Sequence, residues 1–235
     1  MAVSSEARVV DEVKRLANEH FSSPEVQYFL DTPLTLEGAQ RWVKNQVHFI
    51  KNRRDCWALA SSVAPLDVKR AIWHHEQDEL IHDPRAGMDH FKLMAKEAEV
   101  FGVNEEELRD SSPHPLVLAA LDAWVLLGRA SWLEAFISVS VVEIVNSNAI
   151  IEGGGFSSRM RHKLATELGI GRERLVDQNV HVEADMEHAL IFETVMPEHV
   201  RSEKDEATVL EAAAHALMID RAFRAACSFA MRALT

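Results

Sequence analysis

The sequence predicts an all-α protein. Three observations carry this. Apolar residues recur at helical spacing along nearly the whole chain, the few glycines and prolines stand where such segments end, and no segment offers a strand with a pairing partner. Residues 4–20 place charged and apolar positions at helical spacing. Residues 35–63 follow Thr35, a residue type that caps helix N-termini, with Glu37 in the first turn. Pro65 opens the next helix, which Pro84 and Gly87 interrupt. Further helices are expected over 88–101, stopping at Gly102, and over 114–128, ending near Gly128. Others follow over 130–152, stopping at Gly153-Gly154-Gly155, over 156–168, over 173–195 with Pro197 after it, and over 205–233. The β-branched run ISVSVVEIVN would suit a strand, but its apolar pattern runs too long for one. The expectation is one domain, residues 1–235, of about seven to nine helices.

With 235 residues the chain can bury a sizeable core without disulfides. Apolar residues at 47% and charged residues at 26% exclude wholesale disorder. The net charge of −12 argues against nucleic-acid binding, which draws on cationic contacts to phosphate, and against docking on an anionic membrane. No apolar run reaches the ~20 residues of a membrane-spanning helix, and the N-terminus lacks the charged-then-apolar pattern of a signal peptide. Cys56 and Cys227 cannot form a disulfide framework, so a reducing cytoplasmic location is expected.

Three segments carry candidate chemistry. In HVEADMEH, His181, Asp185 and His188 stand at i, i+4 and i+7, on one helical face about two turns long. Imidazole and carboxylate are good ligands for a divalent transition metal. The bland alternative is a polar face in water, which explains one such histidine better than two with an aspartate in register. In HHEQDELIHD, Glu79-x-x-His82 is a carboxylate-x-x-His pair, the unit that di-iron bundles use on facing helices. It is a weak signal alone, and His75, Asp83 and His90 stand near enough to replace His82. Finally, Glu143 sits in the middle of the apolar AFISVSVVEIVNSNAII. A carboxylate there is costly to bury unless it is paired with a cation or bound to a metal. Together these segments offer three carboxylates and three histidines from three helices. That mix suits two Fe(II) ions, with Mn(II) as an alternative, whereas structural zinc uses fewer ligands and usually cysteine.

The order of a lone Glu with a nearby His, then a lone Glu, then His-x-x-x-Asp-x-x-His resembles the haem-oxygenase-like di-iron oxidases and oxygenases. That superfamily shares its helical fold with thiaminase II and pyrroloquinoline-quinone synthase. It includes the chlamydial death-domain-associating protein and the alkene-forming fatty-acid decarboxylase. The resemblance spans roughly residues 20–230 and is most specific at His181–His188. The Glu79-x-x-His82 spacing is similar to the alkene-forming branch; other branches place the first His further on, which points to His90. The resemblance implies a haem-oxygenase-like bundle that binds two irons, activates O₂ and oxidises a small amino-acid or fatty-acid-like substrate. The implied outcomes are C–C cleavage, decarboxylation, desaturation or N-oxygenation. It further implies Glu79 and Glu143 as catalytic, metal-bridging carboxylates, His82 and His181 on one iron, and Asp185 and His188 on the other.

The expected partner is a small molecule, with no nucleic acid and no membrane, and a homodimer is compatible with the bundle. Two other readings stand beside this one. A metal-free hydrolase like thiaminase II needs a nucleophilic cysteine, yet neither Cys56 nor Cys227 has a local histidine to activate it. That reading also leaves the six candidate ligands unexplained, and the other alternative is a non-enzymatic interaction protein using the helical scaffold. Trp42, Trp57, Trp73, Trp124 and Trp132 read as core, with Trp73 near the metal face. Arg53-Arg54 and Arg159-x-Arg161 read as solvated faces, although paired arginines can also clamp a substrate carboxylate.

Overall fold

A computed structural model describes residues 5–232. They form α1 (Ser5–His20), α2 (Pro24–Asp31), α3 (Leu36–Val63), α4 (Leu66–Leu80), α5 (His90–Ala98), α6 (Glu105–Arg109), α7 (Pro115–Gly128), α8 (Trp132–Asn146), α9 (Phe156–Leu168), α10 (Val176–His188), α11 (Leu190–His199) and α12 (Glu203–Arg232). Short 3₁₀ turns lie at Glu99–Phe101 and Arg172–Arg174. The β-branched segment within α8 is helical, and the described residues contain one isolated bridge, Asp83 to Met88, outside the helices. None of the helices in this range is long and apolar enough to cross a membrane.

The described residues hold more helices than the expected seven to nine. The short α2 and α6 went unforeseen: Pro24 opens one, and Asn104 and Glu107 cap the other reciprocally. The expected 130–152 helix stops at Asn146, where the chain turns and the N–H groups of Ile150 and Ile151 point back to the Ser147 carbonyl. The expected 173–195 helix divides into α10 and α11 at Ala189, and Pro197 lies inside α11 rather than after it.

At the centre stands α8. Ser131 and Glu134 close its N-terminus as a capping box, and from Ala135 to Val145 every residue is buried. A helix that is apolar all round must be enclosed, and α3, α7, α12, α1 and α10 all pack against it. The long helices α3 and α12, of 28 and 30 residues, form its walls. The connection out of α8 requires glycine. Gly153 and Gly154 have φ of +77° and +94°, and a Cβ on Gly155 would lie 1.9 Å from the Asn146 carbonyl oxygen. The tight reversal lays α9 against both α8 and α10. Trp42, Trp57 and Trp124 are core as expected, but Trp73 is not: it is 63% exposed on the outer face of α4, its indole N–H bonded to Ser61.

Away from α8's polar residues, one charged network ties the termini together. Asp220 on α12 meets His20 Nε2 at 2.9 Å and Arg224 Nε at 3.2 Å, all three fully buried. Burial opposes ionisation of Asp220, yet the Arg224 guanidinium and the His20 bond hold it down at about 2. Because the folded value lies below the ordinary carboxylate value, the stabilisation is complete above pH ~4 and is lost as pH falls through 2. Asp220→Asn leaves Arg224 buried and unpaired. It should cost about 3 kcal/mol at pH 7 in urea unfolding, and the difference from wild type should shrink between pH ~4 and ~2.

Candidate metal centre

Four helices bring seven titratable side chains together. His75 and Glu79, one turn apart, share a face of α4. His90 is the first residue of α5, set there by Asp89, whose side chain accepts from the Lys92 N–H at 3.0 Å. Glu143 projects from α8, and His181, Asp185 and His188 from α10. Within this set, three groups place their ligand atoms within 4.8 Å of one another: Glu79, His90 and His181; Glu143, Asp185 and His188; and His75, Glu79 and His188. His90 Nδ1 lies 3.0 Å from Glu79 Oε2, His188 Nδ1 lies 3.4 Å from Glu79 Oε1, and His75 Nε2 lies 3.6 Å from Glu143 Oε1.

Of the expected site residues, Glu79, Glu143, His181, Asp185 and His188 converge here, and His82 does not. The cause is where α4 ends. The N–H groups of both Ile81 and His82 turn back to the Gln77 carbonyl, Pro84 has no N–H to extend the helix, and the chain reverses over residues 81–89. Glu79 and His82 therefore share no helical face, and His82 points into solvent. The reversal delivers His90 instead. Asp83, the other nearby candidate, stands behind it: Asp83 Oδ2 lies 2.9 Å from His90 Nε2, so Nδ1 is the ring nitrogen turned to Glu79. This outer carboxylate fixes the ring in the manner usual for metal-bound histidines.

Other outer contacts organise the remaining members. Ser157 on α9 donates to Asp185 Oδ2 at 2.8 Å. His181 Nδ1 donates to the Asp177 carbonyl at 2.9 Å, which leaves Nε2 for the cluster. Glu97 of α5 accepts from the Asp177 and Gln178 N–H groups at 2.8 and 3.1 Å, satisfying the buried start of α10. Arg54 of α3, read from sequence as solvated, reaches inward and pairs with both Glu76 and Glu79.

Burial disfavours every charge in this space, and the neighbours decide the outcome. Arg54 and then His90 overcome burial and hold Glu79 well below the ordinary carboxylate range. Burial, reinforced by Glu143, pushes Asp185 up to about 7 against the pull of His181. Burial and the adjacent His75 charge lower His188 to about 4, so its imidazole is neutral and free to ligate. His75 goes the other way: against burial, Glu143 and Glu76 raise it to about 10.

Even so, the cluster is incompletely satisfied. His75 Nε2, His90 Nδ1, both ring nitrogens of His188 and Asp185 Oδ1 are buried without a hydrogen-bond partner. Native proteins rarely leave so many buried polar atoms unpaired in one place. The donor set, imidazole and carboxylate without thiolate, fits iron or manganese. On one side Glu79, Glu143, His181 and Asp185 line an inner cavity of about 60 Å³. On the other, His75 and His188 face a surface groove of about 270 Å³ beside α11.

The chain resembles several solved structures across nearly its whole length. One is a domain of unknown function with a heme oxygenase-like fold from Shewanella denitrificans, at 14% identity and a TM-score of 0.71, covering 95% of this chain and 91% of that one. A CADD-like protein of unknown function from Nostoc punctiforme gives 13% and 0.73, with 95% and 96% covered. A TenA homolog from Pseudomonas syringae pv. tomato gives 12% and 0.68, with 95% and 92% covered. At these identities the likeness establishes the fold, which is heme oxygenase-like. No curated protein matches the sequence. Residues 40–221, most of the chain and all of the cluster, match the family described as iron-containing redox enzymes, and the chain belongs to that family.

Proposed function

We propose that the protein is a non-haem di-iron oxidase or oxygenase that uses O₂ to oxidise a small amino-acid or fatty-acid-like substrate. The observation that carries this reading is the set of four histidines and three carboxylates, all buried but the partly buried His181, with its unpaired ring nitrogens beside an inner cavity. Glu79, His90 and His181 would hold one ion, and Glu143, Asp185 and His188 the other. Glu79 also belongs to the group with His75 and His188, so it is the carboxylate best placed to bridge. Two bound Fe(II) ions would supply electrons and open coordination positions for O₂ chemistry, and Mn(II) suits the same donors.

The chain's own residues do the rest. Arg54 balances and orients Glu79, Asp83 orients His90, and Ser157 orients Asp185. Phe49, Val142 and Phe156 form the apolar part of the cavity wall beside the cluster. A thiaminase-II-like hydrolase is the second reading, favoured by the TenA-like fold. Its thiolate has no support at either cysteine: burial raises Cys56 and pushes Cys227 up to about 12.

Anaerobic loading with Fe(II) should give close to two irons per chain and a rise in melting temperature, since the metal binds only the folded state. Exposure to O₂ should then change the optical spectrum. His90→Ala and Asp185→Ala should each lose at least one iron, with helical content retained by circular dichroism. His82→Ala should load as wild type does. Full loading of His90→Ala, or iron loss in His82→Ala, would return the ligand position to His82.

A further inference from the structure

Three neighbouring arginines lie inside this bundle, and two of them are neutralised. Arg54 pairs with Glu76 and Glu79, and Arg224 with Asp220. Arg53 is 2% exposed, and among the described residues no carboxylate lies within 4 Å of it. Its contacts are neutral: Nη1 donates to the Ser138 carbonyl at 3.4 Å, and Nη2 to Asn52 Oδ1 at 2.6 Å and Cys56 Sγ at 3.7 Å. Its Nε has no partner at all. The guanidinium lies 4.0 Å from the centre of the Trp124 ring and 5.1 Å from that of Phe49, so packing holds its plane in place.

Arg53 lines the same cavity as Glu79, Glu143, His181 and Asp185. A second donor without a partner, the Trp42 indole N–H, belongs to a residue lining that cavity as well. A buried guanidinium with no carboxylate in contact is costly, since Asp220 and Glu143 attract it only from a distance, and it is compensated when an anion arrives. The fork of Arg53 matches the planar, monovalent carboxylate; Arg54 and Arg224 line the same cavity, but their charges are already engaged by Glu76, Glu79 and Asp220, which leaves little for a phosphate dianion.

Building on the reading of the cluster as a metal centre, we propose that Arg53 is the specificity-determining residue of the cavity. It binds the carboxylate of a small organic acid whose remaining atoms extend toward Glu143 and Asp185. The substrate class is thus a carboxylate anion held by the protein, and its carboxylate does not take a metal position.

The test uses the full chain without metal, so that it stands apart from iron loading. Acetate, hexanoate and decanoate are compared with 1-hexanol and inorganic phosphate, by thermal shift and by tryptophan fluorescence, which Trp124 beside Arg53 should report. At least one carboxylate should raise the melting temperature by about 2–4 °C, while 1-hexanol and phosphate do not. Arg53→Gln should weaken carboxylate binding by about tenfold or more. Its iron stoichiometry should be unchanged. If Arg53→Gln fails to fold, Arg53→Lys keeps the charge without the fork and should bind more weakly than wild type. The proposal is overturned if no carboxylate shifts the wild type, if 1-hexanol matches hexanoate, or if phosphate outcompetes all three acids. Undiminished binding by the folded Arg53 variant also overturns it. A failure to bind iron with carboxylate binding intact would count against the metal centre alone.

Discussion

Every feature of this bundle's interior answers to the cost of placing carboxylates where water cannot reach them. Glu79, Glu143 and Asp185 are each nine-tenths or more buried. An isolated carboxylate would protonate in such a place. Glu79 avoids this because Arg54 and His90 lie against it, and Glu143 because His75 does. Asp185 has a hydroxyl from Ser157 and His181 nearby and is carried up to about 7. The site is therefore a graded set of acids and imidazoles rather than a row of equal charges.

That cost explains the outer contacts. A ligand residue held only by its own side-chain torsions would swing to satisfy itself elsewhere. Here Asp83 holds His90 from behind, the Asp177 carbonyl holds His181, and Glu97 pins the first turn of α10, from which all three of its site residues project. Each constraint comes from a different element: the 81–89 turn, α10 itself and α5. The reversal through Gly153–Gly155 adds another by bringing Ser157 across to Asp185.

The buried charges also sort by purpose. Asp220, His20 and Arg224 pair with one another through Asp220 Oδ2 and join α1 to α12, and their role is structural. The cluster under α8 is open: His75 Nε2, His90 Nδ1 and both ring nitrogens of His188 lack partners, and the cavity beside it is lined by a guanidinium with no carboxylate in contact. The first network leaves one buried atom, Asp220 Oδ1, without a partner, whereas the second leaves five, at His75, His90, His188 and Asp185.

Much of this was legible in the residues alone. The helical period, the cap at Thr35, and the apolar stretch of α8 are local patterns, and a local pattern needs no knowledge of distant neighbours. The same holds for His181, Asp185 and His188, whose common face follows from the pitch of one helix, and for Glu143, conspicuous by its apolar surroundings. His82 against His90 could not be settled that way. The choice depends on the point at which α4 stops and on a reversal that a proline and a glycine permit but do not aim. The burial of Arg53 and Arg54 was equally hidden, because two adjacent arginines on a helix read as a wet surface until Trp124 and Glu79 are seen against them. Trp73 failed in the opposite sense, since an indole reads as core unless its helix face is known. Residue spacing determined which side chains share a face; only the packing of α3, α4, α5, α8 and α10 decided which faces meet, because that depends on contacts between residues far apart in the chain.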